Sequence, residues 1–109
     1  MEKMERLVEC LRKYNPERII IFGSYARGDS DEFSDIDIVV IKKTEKRFIE
    51  RLIEVARHLD NDLGKVDVSV YTKKEFKDMS KMGNPFIEKI KAEGRIIYQA
   101  WKRGSQEVA

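Results

Sequence analysis

The chain has 109 residues, 39% of them Asp, Glu, Lys or Arg, yet a net charge of only +2. That length fits one small domain, and the near balance of charge excludes a general nucleic-acid binder, which carries a strong basic excess. A single cysteine, Cys10, excludes an internal disulfide. No apolar run approaches the roughly 20 residues of a membrane span, and the first residues do not read as a signal peptide, so a reducing cytoplasm is expected.

Met4, Leu7, Val8 and Leu11 recur at helical spacing and predict an amphipathic helix over residues 2–14, with Cys10 on its apolar side as an inert core residue. Asn15-Pro16 ends it, because proline disfavours the helical conformation in the residue before it. Residues 18–22, Arg-Ile-Ile-Ile-Phe, read as a buried strand. Residues 23–28 predict a turn with one short helix, 29–34 a polar loop, and 36–42 a second strand. Thr44 is expected to cap a long helix reaching about Leu63, with Phe48, Ile49, Leu52, Val55, Ala56, Leu59 and Leu63 as its stripe. Its Lys/Arg-rich part, 45–57, reads as a solvated face, with His58 on the polar side and Gly64 at the end.

Residues 66–71 predict a third strand, with Val66, Val68 and Val70 on one face and Asp67, Ser69 and Tyr71 on the other. Thr72 to Glu75 forms a capping box, and Asn84-Pro85 opens a further helix to Glu93. Gly94 ends that helix before a short last strand, 95–98. Residues 1–98 are thus read as a single domain, and 99–109 as a polar tail whose Trp101 either packs on the domain or anchors a partner. Helices alternate with strands, so the fold class is α/β in the broad sense (α+β), a small mixed β-sheet flanked by helices. Residues 23–34 are too few for a helical crossover, so the first two strands are predicted antiparallel.

The chemistry concentrates between those two strands. Gly23-Ser24 follows the first strand, and Asp35-Ile36-Asp37 opens the second. Alternation along a strand puts Asp35 and Asp37 on one face. Two carboxylates about 7 Å apart repel by roughly 2–3 kcal/mol at an effective dielectric of 20. Solvent offsets that repulsion, and so does Mg²⁺, which takes one or two carboxylates together with substrate phosphates. If the third strand neighbours the second, Asp67 joins them, and three carboxylates suit two metal ions. The glycine turn offers backbone N–H groups and the Ser24 hydroxyl to phosphate, with Arg27 one turn later. Each piece alone is ordinary: a Gly-Ser turn, a solvated Asp-x-Asp strand end, a surface Asp. Arg27 can equally pair with Asp29, Asp31 or Glu32.

Gly23-Ser24-Tyr25-Ala26-Arg27-Gly28 followed by Ser34-Asp35-Ile36-Asp37-Ile38-Val39-Val40 resembles the signature of the minimal nucleotidyltransferases of the DNA polymerase β superfamily. The resemblance spans about Tyr14 to Tyr98. It implies a nucleotidyltransferase fold, with nucleotide phosphates on Gly23 and Ser24 and a further phosphate contact from Arg27. It implies Mg²⁺, as two ions, on Asp35 and Asp37, with Asp67 as the third carboxylate. By the same resemblance the donor is ATP, and the partner is a small helical HEPN-domain ribonuclease toxin that receives AMP on a tyrosine, the chain being its antitoxin. A small-molecule acceptor such as an aminoglycoside, or a non-catalytic toxin-binding module, are the competing readings.

Overall fold

A computed structural model describes residues 2–31 and 33–100. In chain order the elements are α1 (Glu2–Arg12), β1 (Arg18–Phe22), α2 (Ser24–Arg27), β2 (Ile36–Ile41), α3 (Phe48–Ala56), a 3-10 turn (Asn61–Leu63), β3 (Val66–Tyr71), α4 (Lys73–Lys81), α5 (Pro85–Glu93) and β4 (Arg95–Gln99). The strands form one mixed sheet in the order β3-β2-β1-β4. β1 is antiparallel to β2 and β4, while β2 and β3 run parallel. The short 23–34 connection makes the antiparallel return expected from the sequence. The parallel β2–β3 pair is bridged by the longer segment that carries α3.

Side chains alternate across this sheet and feed two cores. Ile19, Ile21, Ile36, Ile38, Val40 and Val70 pack with Met4, Leu7 and Leu11 of α1 and Val55 of α3. Ile20, Phe22, Val39 and Ile41 pack on the opposite face with Ile87 and Ile90 of α5. β1 and β2 lie in the middle of the sheet and are buried on both faces, which is why both read as nearly continuous apolar runs. Each fully buried aliphatic side chain contributes about 1.5–3 kcal/mol, so the two central strands are the anchor of the domain.

Local signals explain most boundaries. α1 ends before Asn15, which takes φ 63° ahead of Pro16. The Thr72 hydroxyl accepts from the Glu75 N–H, and the Glu75 carboxylate accepts from the Thr72 N–H, completing the capping box of α4. Asn84 Oδ1 accepts from Phe86 and Ile87 at the start of α5. Cys10 is half-buried against the first core. Trp101 and the rest of 101–109 lie outside the described residues.

The segment after β2 corrects the sequence reading. Thr44 does not cap α3; its hydroxyl accepts from Lys46 N in a local turn, and Arg47 holds the cap position, its N–H donating to Glu50. The helix stops at Ala56, and a separate 3-10 turn carries Leu63 into the core. Phe48 and Ile49 stay largely exposed, the Phe48 ring resting on Tyr71 at 5.8 Å. The basic stretch is not wholly solvated either. Arg51 is only 6% exposed, and its guanidinium donates to the Val70 carbonyl and to both carboxylate oxygens of Glu75. His58 is half-buried, its ring 5.5 Å from that of Tyr14.

Candidate active site

The end of the sheet where β1 finishes and β2 begins gathers the residues singled out above. Phe22 faces Asp37 across the β1–β2 ladder, and Asp37 faces Asp67 in the parallel β2–β3 register. Residues paired across a ladder share a face, so Asp37 and Asp67 stand side by side, with Asp35 two residues earlier on the same side. The chain turns sharply at Gly23, which is buried and adopts φ 74° and ψ −152°. A Cβ there would collide with Asp37 Oδ2, so only glycine lets the turn lie against the acid. α2 follows, and Ser24 begins it.

Electrostatics single out Asp37. Its carboxyl titrates above the ordinary aspartate range, first because it is partly desolvated and then because Asp67 and Asp35 stand beside it. A hydrogen bond shared with Asp67 favours the protonated form further, and Lys89 of α5 opposes the shift. Lys65 Nζ lies 3.7 Å from Asp35 Oδ2 and 4.0 Å from Asp67 Oδ1, so one ammonium answers the two outer acids. Both acids keep about half of their side-chain surface open to solvent.

Glu93 departs from the sequence reading, while the Arg27–Asp29 pair is one of the partners expected there. The Gly23 N–H is not free: it donates to Glu93 Oε1 at 3.0 Å, from the last residue of α5. Arg27 does take acidic partners, Asp29 at 3.2 Å and Glu93 at 3.5 Å. Glu93 thus ties the turn to α5 across 70 residues, a contact that no local pattern announces. Lys65 was legible in principle, since strand alternation puts residue 65 on the side of Asp67.

Among the described residues, no group of three or more His, Cys, Asp or Glu side chains is already gathered as a metal cluster. The donor set nevertheless suits a hard divalent cation. It consists of carboxylate oxygens at an open edge, with an ammonium drawn between two of them and a third acid left under-neutralised. Mg²⁺ completes its shell with substrate oxygens and water, so a partial protein set is what it uses.

A four-stranded mixed sheet with a glycine turn facing paired aspartates defines a nucleotidyltransferase, and comparison with known proteins agrees. The family model "Polymerase beta, Nucleotidyltransferase" matches residues 5–103, and the chain belongs to that family. "Putative protein adenylyltransferase MJ0126" of Methanocaldococcus jannaschii is 38% identical over 90 residues, 83% of either chain. A solved structure described as "a putative nucleotidyltransferase from Sulfolobus solfataricus" is 31% identical with a TM-score of 0.57, over 93% of this chain and 78% of that one. A structure described as a toxin-antitoxin with AMP-PNP shares the fold, with a TM-score of 0.62 and 24% identity over 96% of this chain and 78% of that one. Among the described residues, no helix is long and apolar enough to cross a membrane.

Proposed function

We propose that this chain, acting as one domain over residues 1–98, transfers AMP from ATP to a hydroxyl of a partner protein. The observation that carries the reading is the Asp37–Asp67 register facing the Gly23 turn. Asp35, Asp37 and Asp67 would hold Mg²⁺, as two ions, which when bound neutralises phosphate charge and orients the attacking and leaving oxygens. Ser24 and Arg27 orient the triphosphate, the arginine by exchanging an acidic partner for a phosphate oxygen. The acceptor oxygen forms a bond to the α-phosphorus, the α–β bridging bond breaks, and pyrophosphate leaves. The hydroxyl proton passes to a carboxylate of the group, Asp67 being the most exposed of the three.

Relatives named "Putative protein adenylyltransferase" support a protein acceptor. The toxin–antitoxin neighbour supports a toxin as that protein, here a HEPN-domain ribonuclease modified on tyrosine in the cytoplasm. Lysate incubated with the chain, Mg²⁺ and ATP labelled at either the α- or the γ-phosphate tests this. Label from the α-position alone, on protein, is expected. Label confined to small molecules would instead assign an aminoglycoside-like acceptor, and none at all a non-catalytic binding module.

A further inference from the structure

At the other end of the sheet, on the α4–α5 face, lies a groove of about 450 Å³. Ile20, Ile41 and Phe76 form its apolar floor. Ile96 is paired with Ile20 across the β1–β4 ladder, so it continues that floor onto the edge strand, and it is 55% exposed. Arg18, Lys73, Lys74 and Lys77 stand around this floor, against the single carboxylate of Glu17. Lys74 is engaged by Asp78 at 2.8 Å, and Lys73 lies 3.9 Å from Glu17. Arg18 donates to the neutral Gln99 side chain, which leaves its charge in place. The groove begins at the Arg18–Ile41 pair, four register steps from the Phe22–Asp37 pair. Along β1 it therefore runs from roughly 14 Å from the acids at Arg18 to roughly 7 Å at Ile20.

We propose that this groove docks an acidic amphipathic segment of the partner protein, with apolar side chains on the floor and carboxylates against Arg18, Lys73 and Lys77. The inference rests on the protein-acceptor reading: a second contact away from the chemistry raises the effective concentration of a protein acceptor at the acids. Charge complementarity selects the occupant. A second copy meeting the groove through a twofold axis would set the same cations against one another. The chain's own Trp101 is followed by Lys102 and Arg103, which match the rim in sign.

The test is fluorescence anisotropy with the full chain and no ATP. The probe is a fluorescein-labelled peptide of about 15 residues with Leu and Phe along one helical face and Glu elsewhere. A control peptide carries Lys in place of every Glu. Saturable binding of the acidic peptide is expected, at least about tenfold tighter than the control and weakening with salt. The exposed double variant K73E/K77E, shown folded by circular dichroism, should reverse that preference. Equal binding of the two peptides, no saturation up to about 1 mM, or an unaffected K73E/K77E would overturn the proposal. A tenfold gain in the full-length W101A variant would also overturn it, by making the chain's own C-terminal segment the occupant. Because no nucleotide is present, failure here leaves AMP transfer standing, and failure of transfer leaves this readout intact.

Discussion

Asp37 stands between Phe22 of β1 and Asp67 of β3, with the Gly23 turn against its carboxylate. Its raised proton affinity comes from partial burial and from Asp67 and Asp35, only partly opposed by Lys89, so without a divalent ion its ionised form is held at a free-energy cost. The sign follows: above the ordinary aspartate range the charge destabilises the fold, and the penalty disappears as pH falls through the raised folded-state value. Asp37→Asn should therefore melt at a higher temperature than wild type at pH 7 without divalent ions. The difference should close as pH is lowered and narrow when Mg²⁺ is added to wild type. The same variant should lose transfer by at least about 100-fold, through loss of charge neutralisation at the phosphates. Gly23→Ala needs a positive φ and a collision with Asp37 Oδ2. A loss of roughly 1–3 kcal/mol is expected from chemical denaturation, together with reduced activity. The motif residues were readable because their spacing is local and the strands around them are unambiguous. Glu93 was not, since its role depends on α5 ending beside Gly23, a purely tertiary fact.

Among the elements, α3 shows best what the sequence hides. Its register was readable at Val55, yet its start moved from Thr44 to Arg47 and its end to Ala56. A hydrophobic stripe does not say that Arg51 is buried. That placement follows from the Glu75 side chain, which closes the α4 capping box and also receives the Arg51 guanidinium through both oxygens. One carboxylate thereby joins α3 to α4 next to the end of β3. Arg51→Met should cost about 2–3 kcal/mol, below the usual loss for a broken buried pair because Glu75 is partly solvated. Glu75 titrates below the ordinary glutamate range, chiefly through its bond to Arg51. Its stabilising contribution is present at neutral pH and lost as pH falls through the depressed folded-state value. Glu75→Gln should flatten that part of the stability profile in urea titrations across pH. Capping boxes, by contrast, are short-range, and the Thr72 and Asn84 caps were fully legible; Thr72→Ala should cost about 1 kcal/mol.

For the whole molecule, strand order does the positioning. Placing β2 between β1 and β3 brings a turn, a pair of aspartates and a third aspartate from three separate segments to one edge. The antiparallel β1–β2 return was read from a connection at the short limit for a crossover, and the β1–β2 ladder agrees. The parallel β2–β3 pairing was only conditional, because alternation in β3 fixes which face Asp67 takes but not which strand it meets. The last strand was legible at 95–98, but its place at the sheet edge beside β1 and the groove beside α4 were not, since both depend on tertiary packing that leaves Ile96 exposed. The molecule thus presents acids at one end of β1 and a cation-rimmed groove at the other.

The central claim is that the Asp35, Asp37 and Asp67 edge moves AMP onto a partner's hydroxyl. The most direct measurement is the intact mass of the proposed HEPN-domain partner, co-expressed and co-purified with the chain, after incubation with ATP and Mg²⁺, followed by peptide mapping. The account predicts a mass gain of one AMP on a tyrosine with wild type, and none with Asp37→Asn or without divalent ion. A partner that stays unmodified yet is neutralised equally well by wild type and Asp37→Asn would contradict it.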